Sequence, residues 1–215
     1  MSHINWAATA TSSAAYSLKD TFDSAVLTYI SANASTSSPD MVIGADDATA
    51  GTLADVDGGA TEAVKIGYTT ATDSDPLDVI ARMARLLDDQ NVPEEGRWFV
   101  ASPEFYEVLS KTSSKLLSSD YNAGQGSIRN GLVSSGMLRG FTMYRSNNMP
   151  AGSHAKIALA GHISAVATAQ TILNTETIRS TTSFGDIVRG LHVYGRKMLR
   201  SNAVVKVFWN TTTDS

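Results

Sequence analysis

The chain contains no cysteine, so neither a disulfide framework nor a thiolate metal site is open to it. Charge is sparse as well. Asp, Glu, Lys and Arg make up 18% of the 215 residues, below the ~25% usual in globular chains. Lys and Arg number 17 against 21 acids, which argues against tight, sequence-independent binding of nucleic acid. No window approaches the ~20 apolar residues of a membrane span. The amino end, MSHINWAATATSS, has neither the basic region nor the apolar run of a signal peptide. What is present is a 42% hydrophobic chain rich in Gly, Ser, Thr and Ala. That composition suits surfaces buried against neighbours rather than solvated, and the length is ample for one core or two small ones.

The net charge of −4 hides an asymmetry. Residues 1–75 carry ten acids and two lysines, a net of −8, whereas residues 121–215 carry three acids and ten bases, a net of +7. Either the acidic end of one subunit meets the basic end of the next and steers self-assembly, or solvated faces of like sign simply cluster.

Residues 91–109, NVPEEGRWFVASPEFYEVL, are the most legible stretch. Asn91 suits a helix exit and Pro93 forbids continuation. Glu94-Glu95-Gly96 is a polar turn, and Arg97 to Ala101 is a short run of strand formers. Ser102 is placed as N-cap, with Pro103 at the first helical position and Glu104 in the first turn. Upstream, Asn5 to Ala32 predicts a helix of roughly 40 Å at ~1.5 Å per residue. Its apolar face holds Leu18, Phe22, Val26 and Ile30, widened by Ala15, Ala25 and Tyr29. Residues 33–75 read as extended loop, with short strands at 41–43 and 63–66. Asp75-Pro76 opens a helix running to Gln90. Further along, the spacing predicts a helix from Pro103 to about Leu117 and a surface loop over 121–136. Strands are predicted at 141–144, 157–160, 163–169, 172–178, 188–194 and 204–209. Helices and strands interleave without strict βαβ alternation, which makes the class α+β.

The search for chemistry finds no site. There is no nucleophile elbow, no phosphate-binding loop and no His-Glu-x-x-His pair. Gly124-x-Gly126 lacks the spacing and preceding strand of a dinucleotide fingerprint. Asp55-x-Asp57-Gly58 begins like a calcium loop but lacks its third acid and closing Glu. Of His3, His154, His162 and His192, only the last two sit where they could converge, and a hydrogen-bonded structural role is the reading favoured for them. Glu94 and Glu95 are adjacent in an exposed turn and do not face each other across a substrate. Arg196, Lys197 and Arg200 read as a solvated or intersubunit face rather than a nucleic-acid patch. We therefore expect no catalytic, cofactor or metal residues, and no enzyme.

The wording of residues 91–109 resembles the major capsid proteins of tailed bacteriophages, which share the Hong Kong 97-type fold. Further pieces follow in that family's order: GSIRNG (126–131), RGFTMYRSNNMP (139–150), ALAGHISAVATAQ (158–170) and FGDIVRGLHVYGRKMLRSNAVV (184–205). The resemblance implies a long spine helix (about 5–32), a peripheral domain from residues 1–70 and 171–215, and an axial domain from 71–170. It implies a structural protein that self-assembles, as hexamers and pentamers, into the icosahedral head enclosing the double-stranded DNA of a tailed phage. Its implied location is the virion, with assembly in the host cytoplasm. The partners implied are further copies of itself, packaged DNA by weak non-specific contact, and portal, scaffolding and cement proteins, with no membrane. Family members carry an amino-terminal arm and extended loop before the spine helix. Here the helix begins near Met1, so both are expected to be missing, whether by processing, truncation or dispensability. Two other readings are an encapsulin-like compartment shell and a small soluble enzyme or binding module.

Overall fold

The computed structural model describes residues 6–36, 41–46, 50–51, 63–68, 73–111, 137–182 and 186–211. The calcium-like segment at 55–58, the glycines at 124 and 126, the GSIRNG piece, His3 and the helix expected beyond 111 lie outside the described residues. The first element is α1 (Trp6–Ala32), a single helix of 27 residues, as the uninterrupted pattern predicts. It ends at Asn33, whose backbone and side-chain nitrogens both donate to the Tyr29 carbonyl, and the Lys206 ammonium takes up the Ser31 carbonyl at 3.2 Å. A cation at that end suits the helix dipole.

Short strands β1 (Val42–Ile43), β2 (Ala50–Gly51) and β3 (Ala63–Ile66) follow. Then comes α2 (Pro76–Asp89), whose first turn is capped by the Asp75 carboxylate accepting from the Leu77 N–H at 2.9 Å. Asn91 leaves the helix in the left-handed region at φ 52, and Val92 N–H returns to the Leu87 carbonyl. Strand β4 (Arg97–Ala101) and α3 (Pro103–Leu109) begin where the turn chemistry places them, but α3 ends at Leu109, short of the expected Leu117, with Ser110 as its C-cap. Ser102 has the N-cap backbone, but its hydroxyl makes no cap bond. The chain continues through β5 (Met137–Leu138), β6 (Phe141–Arg145), β7 (Lys156–His162), β8 (Val166–Arg179), β9 (Asp186–Met198) and β10 (Val204–Thr211).

Two sheets result. The larger, of eight strands, runs β2-β3-β10-β7-β4-β6-β5, with β1 also pairing along β10. One face of it, centred on Phe99, Ala160, Val205 and Trp209, is sealed by α2 and α3 into the core. Chains pass close together here: a Cβ on Gly161 would lie 2.9 Å from both the Ala203 carbonyl and the Trp98 ring. The smaller sheet is the β8–β9 hairpin, with thirteen registered pairs from Val166↔Met198 to Arg179↔Asp186 and a shift between Ile172 and Asn174.

Two expectations need correction. Residues 163–165 form a 3-10 turn rather than the start of a strand, because His162 caps it by accepting from the Ser164 N–H. The two strands expected at 163–169 and 172–178 are one, β8, interrupted only by a bulge. The large sheet draws strands from both sides of residues 70/71 and 170/171. Strands β1, β2, β3 and β10 from one side and β4–β7 from the other share it, with β10 hydrogen-bonded directly to β7 over six pairs.

Candidate functional site

Two surfaces organise the molecule outside its core: the meeting of α1 with the hairpin, and a clasp between residues 41–46 and 150–155. On the first, β9 alternates, sending His192, Tyr194 and Arg196 toward α1. Phe22 meets His192 and Tyr194 edge-on at 6.0 and 5.2 Å, and the Arg196 guanidinium lies 5.3 Å from the Tyr29 ring and 6.0 Å from the Tyr194 ring. The Tyr29 hydroxyl accepts from Met198 N–H. Arg196 is therefore held between two aromatic rings, while Lys197 and Arg200 are exposed. The basic run is not one uniform solvated face.

The apolar stripe of α1 is buried only toward its carboxyl end. Ile30 is 6% exposed and Val26 and Phe22 half-buried, but Leu18 is 49% exposed and every residue from 12 to 21 is exposed. Helical spacing alone would place Leu18 in a core. The helix overruns the subunit instead, held along the way by the Asn148 amide donating to the Asp20 carboxylate at 2.6 Å.

The clasp has no local sequence signal. Asp46 accepts from Ser153 N–H at 2.6 Å, His154 N–H at 2.8 Å and Ala155 N–H at 2.9 Å. Gly152 is needed here, since a Cβ would fall 2.4 Å from that carboxylate. The backbone bond from His154 leads in holding the Asp46 pKa below its ordinary value, against a smaller opposing effect of desolvation. A depressed folded pKa means stability that is complete above about pH 4 and is lost as the pH falls through the folded value. Asp46→Asn is expected to cost ~1 kcal/mol at pH 7, a modest figure because the carboxylate is exposed. The difference from the parent chain should close in denaturation curves taken below about pH 4; a constant difference at every pH would refute this account.

The histidines do not converge. His162 places Nε2 2.8 Å from the Glu95 carbonyl and Nδ1 2.8 Å from Ser164 Oγ, bracing the turn before β4. His192 pairs with Ile172, six residues along β8 from Val166 and so ~20 Å from its root. His154 is engaged through its backbone, its carbonyl accepting from Asn210 Nδ2 at 3.0 Å. Glu94 and Glu95 are both exposed. Among the described residues no cluster of three or more His, Asp or Glu side chains could hold a metal. Two shallow grooves stand out among the described residues. One, about 400 Å³, runs beside Ser102, Met149 and the Lys156–Glu104 ion pair; the other, about 350 Å³, lies between α1 and the outer side of β4 and β6. No helix among the described residues is long and apolar enough to cross a membrane.

What remains is apolar surface left open by the fold: Tyr16 is 74% exposed, Ile187 52%, Val193 44% and Leu199 61%. A family model for phage capsid protein matches residues 5–207. A solved chain from Mycobacterium phage Che8 is 28% identical, with a TM-score of 0.68 over 94% of this chain and 62% of that one. A chain in the capsid structure of cyanophage P-SCSP1u is 22% identical (TM-score 0.71; 99% of this chain, 68% of that one). One in the mature capsid of bacteriophage PhiM1 is 18% identical (TM-score 0.63; 98% and 66%). At those identities the last two speak to fold alone. This chain thus spans less than two thirds of the Che8 chain's length. No curated protein sequence matches it. The α+β architecture expected from the Hong Kong 97-type resemblance is the fold these chains share. The chain belongs to the phage capsid protein family.

Proposed function

We propose that the protein is a structural subunit of a tailed-phage head, many copies of which tile an icosahedral shell around double-stranded DNA. One observation carries this reading beyond the family match. The described subunit leaves much surface open to solvent, because residues 12–21 of α1 are exposed apart from the Asn148–Asp20 bond, and most described hairpin residues are exposed although α1 packs on β9. Isolated two-stranded ribbons and short unsupported helix segments are marginal in water, so both features suit a molecule whose neighbours are copies of itself.

In this reading α1 and the β8–β9 hairpin form the peripheral part of the subunit. The eight-stranded sheet with α2 and α3 forms the axial part that gathers at five- and six-fold positions. This division follows the sheet pairing and differs from one cut at 70/71 and 170/171. The charge asymmetry, −8 over residues 1–75 against +7 over 121–215, supports steering between copies. Each contact is modest, and stability accumulates through their number. A subunit of net charge −4 meets packaged DNA only weakly. Portal, scaffolding and cement proteins complete the set of partners, and assembly takes place in the host cytoplasm before the protein becomes part of the virion.

The test is the particle mass of natively purified protein by light scattering, with negative-stain imaging. Hollow or DNA-filled shells of megadalton mass are expected. A monodisperse monomer or dimer at every concentration would overturn the reading.

A further inference from the structure

The face of the hairpin turned away from α1 has a hollow in it. Because His192, Tyr194 and Arg196 point toward α1, alternation places Val193, Gly195 and Lys197 on the opposite face. Gly195 is paired with Ala169, and the flanking pairs are Thr171↔Val193 and Ala167↔Lys197. The centre of this face is therefore floored by the smallest side chains available, with Val193 at 44% exposure beside it.

Glycine at 195 has no reason within the subunit. Its backbone is not left-handed, and among the described residues a Cβ there would meet nothing within 4 Å. Gly161 and Gly152, by contrast, are both forced by neighbours inside the chain. A glycine in a strand interior weakens the strand and marks a place where another group approaches closely. That group is not α1 of the same chain, which covers the other face.

We propose that Tyr16 of a second copy fills this hollow, so that the exposed stretch of α1 in one subunit lies across the outer face of β8–β9 in the next. The inference rests on the shell-subunit reading and names the contact. Tyr16 and Asp23 stand seven residues apart on one stripe of α1, beside Asp20, whose carboxylate is taken by Asn148 of its own subunit. Tyr16 is 74% exposed, and a tyrosine anchor seated in a small-residue pocket is a common centre for an interface. With Tyr16 over Gly195, Asp23 lies roughly 10 Å along the helix, within reach of Lys197 at the hollow's rim. Both charges are exposed and opposite in sign. The two patches are different surfaces of one chain, so the contact is heterologous and can propagate around an axis into a closed ring.

The absence of native cysteine makes the test clean. Asp23→Cys and Lys197→Cys, at the paired rim positions that leave the Tyr16 anchor in place, would be prepared separately, one of them tagged, mixed, and oxidised with copper phenanthroline. A covalent heterodimer well above either homodimer is expected, since a disulfide needs Cα atoms within ~7 Å. Background-level heterodimer would overturn the proposal. In parallel, Gly195→Leu fills the hollow without touching its own subunit. It should leave the denaturation midpoint unchanged or slightly raised, since a strand-interior glycine is lost, while weakening subunit association at least about tenfold; unaltered association would equally overturn the contact. Wild-type shells without the heterodimer would refute this contact alone. A heterodimer from protein that never forms shells would instead remove the shell reading and keep the contact.

Discussion

Replacing Phe99 by alanine is expected to cost about 3–5 kcal/mol of subunit stability, enough to consume much of a typical domain's margin. Phe99 is fully buried in the middle of β4, with Met143 beside it on β6 and Ala160 on β7. Its ring lies 5.3 Å from Phe105 and 6.5 Å from Phe141, and Phe105 in turn meets Trp209 edge-on at 5.4 Å. These aromatics fill the layer between the sheet and the helices because the neighbouring floor is small: Ala101, Ala158 and Ala160 are all fully buried. Nothing there is large enough to move into the gap. The hydrogen-bonded sheet on one side resists collapse, so a cavity remains and adds to the lost transfer energy. Trp98 is the informative comparison. It is adjacent in sequence and larger, but it points to the opposite side of the sheet and is only half-buried. Trp98→Ala should cost about half as much. Denaturant midpoints of unassembled subunits would decide the matter. Equal losses at the two positions, or a loss at Phe99 under ~1.5 kcal/mol, would contradict the packing argument.

The contrast between these neighbours also shows which parts of the fold can be read from sequence. Period-2 alternation and turn chemistry are local, so α2, β4 and α3 emerge at the expected residues from Asp75-Pro76, Asn91 and Ser102-Pro103. The hairpin is legible in part. The strands expected at 163–169, 172–178 and 188–194 fall largely within β8 and β9, but that the first two are one strand follows from continuous pairing with β9, not from a local pattern. Leu18 misleads for a related reason. Helical spacing places it on the same stripe as Phe22 and Ile30, but spacing is silent on whether the subunit extends far enough to cover it. Order in the large sheet depends on β10, which joins residues from opposite ends of the chain. Asp46 acts on residues more than a hundred positions away. Neither leaves a local trace. No constellation of catalytic type is visible in the sequence, and the surfaces that matter are defined by what is left uncovered, which only the packed structure can identify.

Arg97 is the residue whose importance is least apparent in the sequence, since it opens β4 in a position that normally needs only a polar side chain. Its side chain is 3% exposed. Nε donates to the Pro93 carbonyl at 2.9 Å, and Nη2 donates both to the Val92 carbonyl at 2.5 Å and to the Asp88 carboxylate at 2.7 Å. One planar guanidinium thus satisfies the turn that joins the end of α2 to the central sheet. Arg97→Met keeps the packing of the stem and removes every donor. It should cost about 1–3 kcal/mol, because the buried Val92 carbonyl is left without a partner, while the carbonyl of exposed Pro93 can regain water. The ion pair is not the source of that loss. The Asp88 side chain is 63% exposed and regains water when released, so Asp88→Asn should change stability by under ~0.5 kcal/mol. Arg97→Lys retains the charge but not the fork, and a single ammonium does not reach the separate acceptors in the same geometry. It should therefore fall nearer to Met than to the parent. Amide exchange at Asn91 and Val92, together with the denaturation midpoint, separates the two explanations. If the Lys variant restores full stability and protection, charge holds the turn and carbonyl satisfaction does not. If Met and Lys both loosen the turn while Asp88→Asn does not, the strand that carries Phe99 is anchored at its start by hydrogen bonds to backbone.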